Sequence, residues 1–379
     1  MKKATKELTA KYIEFLRSIC MIETPSTSKE SIDEMVTVIE NFALSHGYKT
    51  ERFAFSKAGD FLLIKSNCDS NKRPVMLMAH MDTVHKKGVY GEQIVTIDGD
   101  TMVGPGVMDC KGGIANAFYV LEMLQDTDIP VKVLLTSDEE VSGIYSGEVG
   151  FDIMKREAKT SLAVLNLESG APKQLTVSRK GIVKMKMEIS GVAGHAGNAY
   201  FDSASAIKEA AHAIIEIEAM SQRDGMTFNC GVIRGGTVPN TIPDKCEIEI
   251  DIRIMTLEDV DRVQTLMDDL CKKTVVPNTK RSVKVISCRP PMEENAKNLA
   301  LLDVWNKCAK SRGLEEFKGI KKGGGSDAAY TVMVGAPTLC SCAIEGTGAH
   351  TLCEKADLST LEERTCLICD TIKALQEQQ

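Results

Sequence analysis

Val75-Met-Leu-Met-Ala-His-Met-Asp82 is an apolar run that ends in a histidine and an aspartate. Two later runs end in the same manner. Val131-Lys-Val-Leu-Leu-Thr-Ser137 leads into Asp138-Glu139-Glu140, and Ser161-Leu-Ala-Val-Leu-Asn-Leu167 leads into Glu168. Short apolar runs of this kind read as strands buried on both faces. Phe61-Leu-Leu-Ile64 reads the same way, and helical patterns cover 5–20, 29–46 and 111–126. Strands alternating with helices imply an α/β layer built on a mostly parallel sheet. In such sheets, ligands bind in the crevice outside the C-terminal ends of the strands. His80, Asp82, Glu139, Glu140 and Glu168 are therefore expected along one sheet edge.

The pattern changes near residue 181. From Ile182 to Ile189, Val183, Met185, Met187 and Ile189 alternate with Ile182, Lys184, Lys186 and Glu188. Period two with unlike faces predicts an antiparallel strand covered on one side. A helix follows near 203–220, strands near 226–234 and 245–254, a helix near 256–272 and a strand near 282–288. The order β-α-β-β-α-β is that of a ferredoxin-like α+β unit. It reads as an insertion, 180–288, into a first domain made of 1–179 and 289–379. After Arg289-Pro290-Pro291 the first pattern resumes, with a helix at 295–312, a short helix opened by Gly323-Gly-Gly-Ser-Asp327, a strand at 338–344 and a final helix at 357–377.

Composition narrows the function classes. Of 379 residues, 43% are hydrophobic and 26% charged, and the net charge is −7, so no basic face for nucleic acid is expected. No apolar run is long enough for a membrane span, and nothing reads as a signal peptide. Thirteen cysteines, an odd number scattered through apolar runs, fit buried thiols in a reducing cytoplasm better than a disulfide framework. The Cys366-Leu-Ile-Cys369 pair lies in the final helix and lacks the four ligands of a structural zinc site.

Asp109 stands between the glycine-rich Gly104-Pro-Gly106 and the helix opened by Gly112-Gly113, where a helix cap is the plain alternative. His350, in Gly346-Thr-Gly-Ala-His350, could equally be a solvated loop histidine. Together, however, Asp82, Asp109, Glu139, Glu140 and Glu168 would crowd five carboxylates at one edge. Like charges that close repel and force protons on unless cations neutralise them. Two divalent ions would do so, and histidine with carboxylate suits zinc, with cobalt and manganese as alternatives.

These stretches resemble the M20 metallopeptidase family, and glutamate carboxypeptidases within it. The matching residues are His80-Met-Asp-Thr83, Gly104-Pro-Gly106, Asp109-Cys-Lys-Gly-Gly113, Asp138-Glu-Glu140, Asn166-Leu-Glu168 and Gly194-His-Ala-Gly197. Asn240-Thr-Ile-Pro-Asp244, Arg289-Pro-Pro-Met292, Gly324-Gly-Ser-Asp-Ala328 and Gly348-Ala-His350 complete the set in family order. The resemblance implies that Asp109 bridges two metals, with His80 and Glu168 on one and Glu140 and His350 on the other. It implies Glu139 as general base toward a bridging hydroxide, Asp82 as the partner of the far nitrogen of His80, and a cis peptide at Asp109–Cys110. It further implies that the inserted unit is a lid and dimerisation domain. From that unit His195 would reach the partner subunit's site, and Asn240 and Arg289 would hold the substrate's carboxylate. Arg253 is ambiguous, since Asp251 or Glu249 could pair with it, and His46, His85 and His212 are expected to be surface or packing residues.

The expectation is a cytoplasmic, homodimeric, two-metal exopeptidase or amidohydrolase. It would cleave an amide next to a free carboxylate in a small peptide or N-acyl amino acid, as a carboxypeptidase releasing a C-terminal amino acid. An N-acyl-amino-acid deacylase or a tripeptide aminopeptidase could use the same cage. A metal-binding scaffold without activity is the alternative of another class, and the presence of Glu139 speaks against it.

Overall fold

The computed structural model describes residues 2–378. The chain separates into two compact units. The first comprises Met1–Val177, Glu294–Lys321 and Ser326–Gln379; the second comprises Ser178–Glu293 and Lys322–Gly325. The second unit thus takes in Lys322–Gly325, a short stretch far along the chain that the sequence division at 289 does not include.

The central strands of the first unit's eight-stranded sheet are parallel. Val75–His80 lies between Val131–Thr136 and Val164–Asn166, and Thr338–Cys340 pairs with the far side of Val164–Asn166. Phe61–Ser66 and Lys49–Phe53 continue the sheet antiparallel beyond Val131–Thr136. Every residue of Val75–His80 and of Val131–Thr136 is buried, as a strand covered on both faces requires. The register sets His80 opposite Thr136 and Met78 opposite Asn166. All three polar strand ends therefore emerge at one edge.

Lys111–Leu124 is a helix buried on almost its whole circumference, with Glu122 its one residue not buried. Its first turn lies flush against the end of the strand before Glu168. A Cβ on Gly113 would run into the Leu167 carbonyl oxygen, and one on Gly112 into the side chain of Ile344. Glycine there is a packing requirement, because a backbone oxygen cannot swing aside as a side chain can. The helix also packs on Lys6–Cys20, with Tyr12 and Tyr119 stacked at 4.8 Å.

The second unit is a four-stranded antiparallel sheet in the order Thr227–Gly235, Lys245–Ile254, Gly181–Ser190, Lys280–Arg289. Helices Ala206–Glu218 and Glu258–Cys271 pack on it. Val183, Met185, Met187 and Ile189 are buried with Ile248, Ile250 and Ile252 in a core of their own, as the alternation predicts.

Several elements differ from the sequence reading. The strand expected over 338–344 ends at Cys340, because Ser341 takes φ +66° and turns the chain. A helix, Gly147–Lys159, occupies a segment with no expected element; Gly147 and Gly150 weaken its intrinsic propensity. A small sheet escapes sequence reading altogether. Glu345–Thr347 pairs with Lys355–Asp357, which pairs with Thr101–Val103, which pairs with Thr96–Asp98. Its strands are three residues each, too short for a periodicity to register.

Gly113→Ala is expected to destabilise the first unit by about 1–3 kcal/mol, the usual cost of forcing atoms into a packed interior. Denaturant unfolding measures it, and an unshifted midpoint would refute this close approach of helix and strand.

Candidate active site

The five expected ligands converge within the first unit. His80 Nε2 lies 3.0 Å from Asp109 Oδ1. His350 Nε2 lies 3.5 Å from Asp109 Oδ2 and 3.1 Å from Glu140 Oε2. Ligand atoms of His80, Asp109 and Glu140 lie within 4.8 Å of one another, and so do those of His80, Cys110 and Glu168. Two overlapping donor groups thus share His80, with Asp109 between the two histidines. Apart from the Cys110 thiol, the donors are imidazole and carboxylate, which fits a divalent ion.

Each ligand is held from behind. Ser326 donates its hydroxyl to Glu168 Oε1 at 3.0 Å and receives the Asn166 amide at 2.8 Å. The Asp109–Cys110 peptide is cis, and the Cys110 thiol is turned inward, donating to the Leu167 carbonyl oxygen at 3.0 Å. Burial pushes that thiol well above its ordinary pKa, so it is a neutral filler at neutral pH.

Asp82 acts more broadly than expected. The nearest acceptor to His80 Nδ1 is the Asp82 backbone oxygen at 3.0 Å; the carboxylate stands 3.4 Å away. The carboxylate instead accepts from Ser26 Oγ at 2.6 Å and from the backbone N–H groups of Glu139 and Glu140, both at 3.1 Å. It therefore fixes the turn that carries Glu139 as well as the ring of His80. Glu139 itself is buried in that turn.

The electrostatics follow from the crowding. Burial pushes Glu140 up to about 8, with the Asp109 charge adding to it and the His350 hydrogen bond opposing. Hydrogen bonds to Asp109 and Glu140 raise His350 to about 10. Burial would raise Asp109, but its hydrogen bonds to His350 and His80 hold it well below the ordinary carboxylate range. Hydrogen bonds to Asp109 and Asp82 likewise raise His80 against its burial, so without metal protons on His80, Glu140 and His350 offset the carboxylate charge at pH 7.

The residues expected to contact substrate lie in the second unit. Gly194–His195 pairs with Thr241–Ile242, so His195 and Asn240 are neighbours, and Ala196 N–H donates to the Asn240 carbonyl oxygen at 3.0 Å. His195 is exposed, and its Nδ1 accepts the N–H groups of Gly197 at 3.1 Å and Asn198 at 3.3 Å. A ring nitrogen that accepts carries no proton in the neutral ring, so the proton sits on Nε2. His195 is thus presented as an Nε2–H donor. Arg289 is buried at the end of Lys280–Arg289, beside Gly325. Arg253 pairs with Asp251 at 2.6 Å, the structural alternative of the sequence reading. His85, expected to be surface or packing, is buried beside Glu354, with 3.6 Å between Nε2 and Oε2.

Sequence reasoning missed two buried charges close to this site, Lys111 and Glu354. Lys111 Nζ donates to the Ile22 carbonyl oxygen at 2.7 Å, and burial lowers its pKa. A lysine directly after the cis peptide was a visible signal; nothing local marked Glu354.

The peptidase dimerisation domain of the M20 family matches residues 177–279, and peptidase family M28 matches 63–226, the stretch that carries His80, Asp109, Glu139, Glu140 and Glu168. Carboxypeptidase G2 of Pseudomonas sp. (strain RS-16) is 28% identical over 375 residues, 95% of this chain and 88% of its own. Acetylornithine deacetylase of Myxococcus xanthus is 27% identical over 250 residues, 60% of this chain and 63% of its own. The fold is shared with aminopeptidase PepT from Bacillus cereus at TM-score 0.79 and 22% identity, covering 97% of this chain and 98% of that one. It is shared too with an M20 family metallo-carboxypeptidase from Sulfolobus solfataricus at TM-score 0.76 and 14% identity, covering 97% and 99%. Site and relatives together define a metallopeptidase, a hydrolase of peptide or amide C–N bonds that uses a divalent metal. The chain resembles the M20 family, whose dimerisation domain it matches, and carboxypeptidase G2 in particular.

Adding a divalent ion to the metal-free protein at pH 7 is expected to release protons from His80, Glu140 and His350, since ligands must deprotonate to bind. Glu140 and His350 hold their protons more firmly as pH falls, so apparent metal affinity weakens on acidification. Calorimetry in buffers of different ionisation enthalpy counts the protons; none released would contradict this charge balance.

Proposed function

We propose that this protein is a two-metal exopeptidase that releases a C-terminal amino acid from small peptides, with zinc in both positions. The observation that carries the reading is the pair of donor groups that share His80, one with Asp109 and Glu140 and the other with Glu168, with buried Glu139 held beside them by Asp82. His80 and Glu168 would hold one ion, Glu140 and His350 the other, and Asp109 both. Bound there, the ions would supply Lewis acidity, acidifying a water and polarising the scissile carbonyl.

The remaining steps belong to side chains. Glu139 takes the attacking water's proton and passes it to the leaving amine nitrogen. Asn240 and Arg289 bind the substrate's free carboxylate, Arg289 through the parallel bonds a guanidinium can offer. His195 donates its Nε2–H to the oxyanion in the partner subunit's site, where such a donor stabilises developing charge.

The homodimer this requires is supported by the edge strand Thr227–Gly235. Val232 and Ile233 are exposed on it, and Val238 follows, within the stretch that matches a dimerisation domain. An open strand edge with apolar side chains is a natural surface for a second copy. A cytoplasmic setting is supported by the thirteen cysteines, all unpaired. No helix among the described residues is long and apolar enough to cross a membrane.

Glu139→Gln is expected to lower kcat about 10²–10⁴-fold, the usual weight of general-base catalysis, with metal content unchanged. His195→Ala should also be inactive as a homodimer. Mixed and allowed to exchange subunits, the two variants should recover activity, because one hybrid site then has both groups intact. No recovery would refute the shared site, and an active Glu139→Gln enzyme would refute the base.

Substrate class is tested by blocking ends. An N-acetylated dipeptide should be hydrolysed and its C-terminal amide should not. Cleavage of a dipeptide amide with a free N-terminus, with no cleavage of the N-acetylated dipeptide, would make the protein an aminopeptidase. Cleavage of N-acyl amino acids with no cleavage of peptides would favour the deacylase reading, which the relative from Myxococcus xanthus supports. No hydrolysis of any substrate in zinc, cobalt or manganese would favour the scaffold.

A further inference from the structure

Glu354 is a buried carboxylate, 2% exposed, that no catalytic step above uses. Its Oε1 accepts the N–H groups of Met108 at 3.0 Å and Asp109 at 3.1 Å, and its Oε2 accepts that of Gly106 at 3.3 Å. Its backbone is bonded as well. Glu354 N–H donates to the Thr351 oxygen at 3.1 Å, and the Glu354 carbonyl accepts Gly104 N–H at 3.3 Å. One residue thus binds four positions of the loop that carries Asp109 and one position of the turn that carries His350.

The location explains why those bonds matter. Gly106, at φ +70°, gives the Asp109 loop an irregular course that no ladder of hydrogen bonds can support. Its N–H groups need other acceptors, since an unpaired buried N–H is costly. A buried carboxylate in turn needs several donors to remain charged. Glu354 meets both needs, and the pairing of Lys355–Asp357 with Thr101–Val103 brings it to the loop.

We propose that Glu354 is a positioning residue that sets the Asp109–His350 ligand pair. Its carboxylate aims the Asp109 side chain by holding the amides of Met108 and Asp109. Its backbone ties that loop to the His350 turn, keeping His350 Nε2 within 3.5 Å of Asp109 Oδ2. The proposal rests on the reading that Asp109 and His350 are metal ligands. Glu354 itself touches neither metal nor substrate.

The test compares Glu354→Gln and Glu354→Asp with the wild type, by zinc titration of the metal-free proteins and by amide exchange. Glutamine keeps the shape but loses the charge and one acceptor; aspartate keeps the charge and loses reach. Both variants are expected to bind one of the two ions about ten- to hundredfold more weakly, the usual effect of removing a group that orients a ligand. At limiting zinc kcat should fall with KM unchanged, and excess zinc should restore kcat. A residue needed for stability alone would not produce that zinc-dependent split. In the metal-free wild type, the amides of Met108 and Asp109 should already exchange slowly. Wild-type zinc affinity in either variant, or fast exchange of those amides, overturns the clamp while leaving the ligand assignment intact. A wild-type protein that binds no zinc overturns both.

Discussion

Asp109 faces two imidazoles at once, with one carboxylate oxygen 3.0 Å from His80 and the other 3.5 Å from His350. Those histidines lie 270 positions apart in the chain, one at the end of a central strand and the other in a hairpin of the small sheet. A single carboxylate can span them only if its own backbone is fixed relative to both. The glycine-rich approach and the flush start of Lys111–Leu124 provide that fixity. The rest of the site is arranged around it.

Charge is the second constraint. Carboxylates gathered with little solvent must be neutralised, and without metal the site does so with protons on His80, Glu140 and His350. Divalent ions would replace those protons with charge that does not leave at neutral pH. The supporting hydrogen bonds carry the same logic outward. Asp82 is neutralised by His80, Ser26 and two backbone N–H groups, and Glu354 by three. The buried acids around the ligands are thus matched by donors, which holds them in place.

The second unit obeys simpler rules. Its sheet has one face covered by two helices, and its core reads directly as alternate residues of four strands. The contribution proposed for it rests on a short pairing, Gly194–His195 with Thr241–Ile242, and on the turn that follows. There the backbone amides of Gly197 and Asn198 determine which nitrogen of His195 carries the proton.

Much of this was legible in the residues. Continuous apolar runs ending in His80, in Asp138-Glu139-Glu140 and in Glu168 specify parallel strands with a polar edge, because burial on both faces leaves no room for alternation. The alternation from Ile182 to Ile189 specifies the second unit for the converse reason. By itself, then, the sequence determined the two kinds of sheet and the donor types that would meet at one edge. Only the tertiary structure decided how the Asp109 and His350 loops are joined, because three-residue strands have no readable period and their pairing spans more than 250 positions. It also decided that Asp82 serves the Glu139 turn and that Glu354 serves the Asp109 loop. Bonds from a carboxylate to backbone N–H groups leave no mark on the identity of the residues that donate them.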